Sequence, residues 1–145
     1  MAYNHIHHIK KLFHDGGAIY NLSASADTFI AENYIHDIPG RIALYLDEGS
    51  RHVTLRNNVI DGAGTWLNVN TFNDYWPLRA TTDNLAMNNW HSPGKLTGSW
   101  NAFYNNRLDG NREVKDDRWP DAARRIIENA GLQPSAGEVL YRRSE

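Results

Sequence analysis

The sequence predicts an all-β chain: a parallel β-helix (solenoid) of about four coils with a C-terminal capping helix. Three observations predict it. The stretch NYIHDI (Asn33–Ile38) has a near-copy at NHIHHI (Asn4–Ile9) and a looser one at NVIDGA (Asn58–Ala63). Aligning Asn33 with Asn58, an offset of 25, gives a gapless match over the eighteen positions Ala18–Ile35, with AIY on ALY and TFIAENYI on VTLRNNVI. The short β-type runs are separated by Gly, Asn, Asp and Ser, with no helical pattern between them. Strands that recur this way without crossover helices stack coil upon coil at about 4.8 Å.

The elements follow in order. The first copy, at Asn4, precedes the second by 29 residues. The third continues as TWLNV (Thr65–Val69) and, after an insertion containing DYWP, as NLAMNNW (Asn84–Trp90). SWNAFYNNRL (Ser99–Leu108) is a further partial turn. Asn33, Asn58 and Asn89 are expected to form an amide ladder at a bend, and Ile6, Ile35 and Ile60 an apolar stack inside. DGNREVKDD (Asp109–Asp117) is polar and is expected to be a surface connection. WPDAARRIIENAGL (Trp119–Leu132) carries helix signals: Pro120 near the start, Asp121 in the first turn and Gly131 as a stop. Ala123, Ile126, Ile127 and Ala130 share one face, which is expected to cover the last coil. The division is therefore coils over 1–113 and a helical cap and tail over 114–145.

Composition narrows the function classes. A chain of 145 residues with net charge −2 has no basic excess for nucleic-acid binding. Without cysteine, neither a disulfide framework nor a thiolate metal site is expected. MAYNHIHH has no apolar signal-peptide core and no run of 18 apolar residues follows, so no membrane partner is expected and the compartment is left unassigned. The repeat starts at Asn4 with no preceding cap, which predicts a homodimer through the open N-terminal coil.

Period-two alternation then predicts a surface. With Ile42, Leu44 and Leu46 inside, Ala43, Tyr45 and Asp47 face outward. The repeat offset puts Ala18, Tyr20 and Leu22 outward one coil earlier. Trp66, Asn68 and Asn70 lie outward one coil later, with Thr65, Leu67 and Val69 inside. Aromatic rings beside amides and a carboxylate suit a sugar, whose C–H face the rings cover while polar groups bond its hydroxyls. Tyr20, Tyr45, Trp66, Asn68, Asn70 and the nearby Trp76 are the candidate substrate-binding residues. A solvated sheet with a stacked tyrosine pair would carry the same pattern.

Glycosidic hydrolysis requires two carboxyl groups, about 5–5.5 Å apart for retention or 6.5–9.5 Å for inversion. Asp15 in HDGG and Asp47 and Glu48 in LDEG are the catalytic candidates. Asp47 and Glu48 share a site only if the chain turns there, which Gly49 permits. Asp15 joins them only if the loop Phe13–Gly16 folds over. Each acid on its own also fits ordinary turn chemistry. His14, beside Asp15, is a candidate proton-transfer and substrate-binding residue. The offsets also stack His7, His36 and Asp61, a set a divalent ion accepts. Polar columns on an outer face need no metal, and neither metal nor cofactor is expected.

DGGAIYNL, ENYIHDI and ALYLDEGS followed by VTLRNNVI resemble the right-handed parallel β-helix proteins of the pectin-lyase-like superfamily, above all the C-terminal coils of bacterial members treated as glycoside hydrolases. The resemblance covers residues 3 to 70 well. It implies a right-handed β-helix, action on plant-type oligo- or polysaccharides through paired carboxylates, and a secreted or periplasmic setting. Two alternatives stand beside that reading. One is a non-catalytic carbohydrate-binding or assembly fragment of a larger β-helix enzyme. The other is a polysaccharide lyase, for which Arg41, Arg51 and Arg56 offer positive charge.

Overall fold

The computed structural model describes residues 1–71, 80–100 and 104–132. Among them the strands are β1 (His5–His7), β2 (Gly17–Asn21), β3 (Ala24–Ala31), β4 (Tyr34–Leu46), β5 (Arg51–Arg56), β6 (Val59–Val69), β7 (Leu85–Met87), β8 (Trp90–His91), β9 (Lys95–Gly98), β10 (Arg107–Asp109) and β11 (Arg112–Glu113), followed by α1 (Asp121–Asn129). One sheet runs β1-β4-β6-β8-β11, with β2 also on β4 and β9 also on β6, and the other runs β10-β7-β5-β3. The pairings between these strands are parallel. The chain is a β-solenoid of about four turns.

The repeat offsets set the register. Ile6 pairs with Ile35 and Ile35 with Ile60, and Tyr20 pairs with Tyr45. Along β4 and β6 the offset changes at a bend: Ile38 faces Ala63, but Ile42 faces Thr65. β4 thus carries two extra residues there, around Pro39 and Gly40, and Tyr45 faces Asn68 rather than a residue 25 further on.

The asparagine column is longer than three rungs. Asn4, Asn33, Asn58 and Asn89 each donate from Nδ2 to Oδ1 of the next asparagine at 2.8–2.9 Å, ending on Asn111. Each of those Oδ1 atoms also accepts the backbone N–H of the asparagine before it. The second amide hydrogen goes to a strand carbonyl: Asn58 to Ile30, Asn89 to Leu55, Asn111 to Ala86. Immediately before each rung the backbone is left-handed, at Tyr3, Glu32, Asn57, Asn88 and Gly110. That conformation turns the corner and aims an N–H into the core, where an unpaired donor costs about 1–3 kcal/mol. Asn111 is the last rung, so Asp109–Asp117, expected to be only a surface connection, carries a corner and β11.

Inside, Ile19, Leu44 and Leu67 form one apolar column and Ile30, Leu55 and Ala86 another. α1 is where the sequence puts it, but it covers the flank. Ala123, Ile126 and Ile127 pack with Trp119 on Tyr34, Val59, Trp90 and Val114. Tyr34, Val59 and Trp90 are successive partners across three coils. Nine helical residues rise about 13 Å, close to three coil spacings. The helix runs from the last coil back to the first, where the Gly131 N–H donates to the Tyr3 carbonyl at 2.7 Å.

Alternation fails next to the bend. Ala43 and Trp66 are in the buried core, Trp66 at 4 % exposure, whereas Ile42 and Thr65 are only partly buried. Pairing slips between Ile38 and Ile42 and between Thr65 and Leu67, and a period of two does not carry across such an irregularity. The Trp66 ring lies flat on His91, 4.5 Å away and 3° from parallel.

Asn58→Ala, at a fully buried rung, should lower unfolding free energy in urea by about 3 kcal/mol, and Asn111→Ala, at the half-buried last rung, by about 1 kcal/mol. An equal or larger loss at Asn111 would contradict the ladder's role. Trp66→Ala should cost about 3–5 kcal/mol, as emptying a core position does, and a loss within 1 kcal/mol would mean the ring is not core.

Candidate functional site

The second arm of each coil presents a row across the sheet: Tyr20, Tyr45, Asn68 and Thr97 are successive partners. Asp47 and Asn70 stand where those strands end. The Tyr20 hydroxyl donates to Asp47 Oδ2, and Asn70 Nδ2 donates to Asp47 Oδ1 at 2.7 Å. Burial pushes the Asp47 carboxyl up, but hydrogen bonds from Tyr20, Asn70, the Glu48 backbone and Tyr45 outweigh it and hold it below the usual range. Asp47 is therefore ionised at neutral pH. Its influence on the phenols is the reverse. Tyr20 lies well above an ordinary tyrosine, first because its proton is bonded to Asp47. Tyr45 is pushed up to about 12, first by burial and then by the charges of Asp47 and Asp15. The two rings meet edge to face at 5.3 Å, with Tyr20 45 % exposed and Tyr45 9 %.

The HDGG loop brings Asp15 to this face. Asp15 Oδ1 accepts the Gly16 N–H at 2.7 Å, and Gly16 has φ +84°. A Cβ on Gly17 would sit 2.8 Å from Tyr45 Cβ, so a residue with a side chain would lift the loop off the sheet. The charge of Asp15 raises both Tyr20 and Tyr45. Asp15 itself is exposed, whereas Asp47 is half-buried. Glu48 enters the turn that Gly49 makes at φ +74°. Its N–H reaches the Asp47 carboxylate and its carbonyl accepts from Ser23 at 2.9 Å. These two backbone contacts tie the turn to Asp47 and to the neighbouring coil.

A basic wall adjoins Asp15. Arg41 contacts His14 Nδ1 through Nη1 and donates from Nε to the Lys10 carbonyl at 2.8 Å. Lys10 and Arg41, with Lys11, Ile9, Pro39 and Asp37, border a cleft of about 250 Å³.

Of the expected binding residues, Tyr20, Tyr45 and Asn70 meet at Asp47, and Asn68 continues the row with its Oδ1 accepting from Thr97 at 2.7 Å. Trp66 was expected outward as a stacking platform. It is buried against His91 instead, because the strand slips register beside it. Trp76 lies outside the described residues. His7, His36 and Asp61 stack as the offsets predict, but among the described residues the three side chains whose ligand atoms converge are His5, His7 and His36.

Sequence reasoning missed His5, the Arg41–His14 contact and a second polar corner. In that corner Asn84 donates to Asn106 Oδ1 at 2.9 Å and to the Ser50 carbonyl, while Asn21 donates to Ser50 Oγ. A signal was present: Asn84 to Asn106 and Asn89 to Asn111 share an offset of 22.

The phenols give a pH test. Tyr20 and Tyr45 should both titrate later than an ordinary phenol, Tyr45 near pH 12, seen as tyrosinate absorbance. In Asp47→Asn, Tyr20 should fall furthest toward 10, since its chief cause is removed, and Tyr45 less, since burial persists. A raised phenol pKa contributes stability below pH 10 that is lost as pH climbs through the folded value. An unchanged Tyr20 titration in Asp47→Asn would contradict the bond.

No protein-family model matches the chain, and no curated protein or solved structure is significantly similar to it.

Proposed function

We propose that the Tyr20–Tyr45–Asp47 face is a carbohydrate site and that the protein is a glycoside hydrolase-like enzyme. The observation that carries this reading is the Asp47 carboxylate, kept ionised by phenol and amide donors, with a second carboxylate, Asp15, close enough to act on the same two tyrosines. Hydrolysis needs two carboxyl groups in unlike environments. Asp47 has the character of the base or nucleophile. Asp15 is exposed beside the same tyrosine pair and is the second carboxyl group, taking the proton donor's part. The exposed Tyr20 ring offers the apolar contact and Asn68 and Asn70 the hydroxyl partners.

Lys10, Lys11 and Arg41 beside the cleft favour a second reading, in which the sugar carries a carboxylate and the reaction is a lyase elimination.

A panel of aryl-glycosides, neutral plant polysaccharides and polyuronates tests both. Asp47→Asn and Asp15→Asn should each lower turnover by about 10²-fold or more while binding persists, and Tyr20→Ala should weaken binding. An unsaturated uronate product would favour the lyase. Full activity in Asp47→Asn on a confirmed substrate would defeat the assignment of Asp47, and binding without turnover by the wild type would leave a carbohydrate-binding module.

A further inference from the structure

We propose that His5, His7 and His36 form a binding site for a divalent first-row transition ion of the kind imidazole prefers: zinc, nickel or copper. The site lies on the outer face of the first arm, and the proposal does not rest on the carbohydrate reading.

The backbone assembles it. β1 pairs with β4 so that Ile6 lies over Ile35 and His7 over His36. With Ile6 turned inward, His5 and His7 both project from the outer face, and His36 joins them from the next coil. One ligand atom from each of the three lies within 4.8 Å of the other two. Residues 29 to 31 positions apart are brought together only because the coils are in register.

The hydrogen bonding orients the set. His36 Nδ1 is 2.7 Å from Asp37 Oδ2, so the carboxylate holds the proton on Nδ1 and leaves a lone pair on Nε2. A carboxylate behind the far nitrogen of a ligating histidine is the usual support of a metal site. His36 Nε2 faces His5 Nε2 at 2.7 Å. Two ring nitrogens this close must share one proton. Replacing that proton with an ion, at metal–nitrogen bonds of about 2.0–2.1 Å, requires the pair to open by roughly half an ångström. His5 is exposed, so its ring is free to make that adjustment. His8 stands behind His7, with the two Nδ1 atoms 2.8 Å apart. Three histidines leave a fourth position for water.

Ring packing alone accounts for less. His7 and His36 stack at 4.9 Å and Tyr34 and His36 at 4.4 Å, which an aromatic column explains. Stacking does not bring two Nε2 atoms within 2.7 Å, nor set a carboxylate oxygen 2.7 Å from His36 Nδ1. The ion would tie the first coil to the second beside Gly131, where a Cβ would sit 2.9 Å from His5 Cβ.

Calorimetric titration of metal-free protein with Zn²⁺ tests the site, with Co²⁺ absorbance as the spectroscopic readout. The wild type should bind one ion per chain at saturation. His5→Gln and His36→Gln should each weaken binding at least about 10-fold, and His52→Gln should not. Asp37, a positioning residue, should cost about 10–100-fold as Asp37→Asn and shift the Co²⁺ bands without abolishing them. His5 and Asp37 are exposed, so those variants should fold, and circular dichroism checks this. No saturable one-to-one binding by the wild type, or His5→Gln and His36→Gln binding as the wild type does, would overturn the proposal. So would Asp37→Asn with unchanged affinity and bands.

Discussion

The rest of this structure depends on the buried amide ladder from Asn4 to Asn111. A coil that turns through a left-handed residue delivers one backbone N–H into the interior at every corner. Asparagine answers with one acceptor for that N–H and two donors, one for the next rung and one for a strand carbonyl. Gln would reach too far, and Asp would bring a charge without the donors. Because each rung bonds to the next, a coil cannot slip along its neighbour without breaking several buried hydrogen bonds. Register on the faces is inherited from this. Tyr20 lies over Tyr45, and His7 over His36, because the corners are locked.

A second consequence concerns the carboxylates. Asp47 and Asp15 have the same chemistry and opposite surroundings: one is half-buried under donors, the other rides on a glycine loop in solvent. The difference arises from local backbone events. A strand ends at Leu46 and turns at Gly49, so Asp47 is left with the Glu48 N–H, Tyr20 and Asn70. The two glycines of HDGG lower a loop onto Tyr45. The unequal environments of these two acids come from turn residues rather than from the core.

Much of this was legible in the residues. The repeats gave the strands, the asparagine rungs and the Ile6–Ile35–Ile60 column, because parallel stacking converts a sequence offset directly into contact. The same logic brought Tyr20, Tyr45, Asp47 and Asn70 together. It failed at Trp66, where β6 carries one residue more than β9 between Thr65 and Leu67, and a bulge leaves no mark in a pattern of apolar positions. His5 was passed over because it lies beside the aligned column, reaching His36 diagonally across a coil step through its ring. The helix was recognised from Pro120, Asp121 and Gly131, but its seat was not, since Tyr34, Val59 and Trp90 are one flank only once the coils are stacked.

That flank has a mechanical meaning. A solenoid is nearly one-dimensional: each coil touches only its neighbours, and its ends fray independently. α1 departs from this, since it starts beside Trp119 and hands the chain to Tyr3, bridging the last coil to the first. Fraying of the first coil then strips contacts from a helix that also holds the third. The strap converts a stack of weakly coupled layers into one cooperative unit, with folding delayed until residues more than a hundred positions apart meet. Loss of the helix would reach the far end of the molecule as readily as the near one, and melting would spread over several local steps in place of one transition.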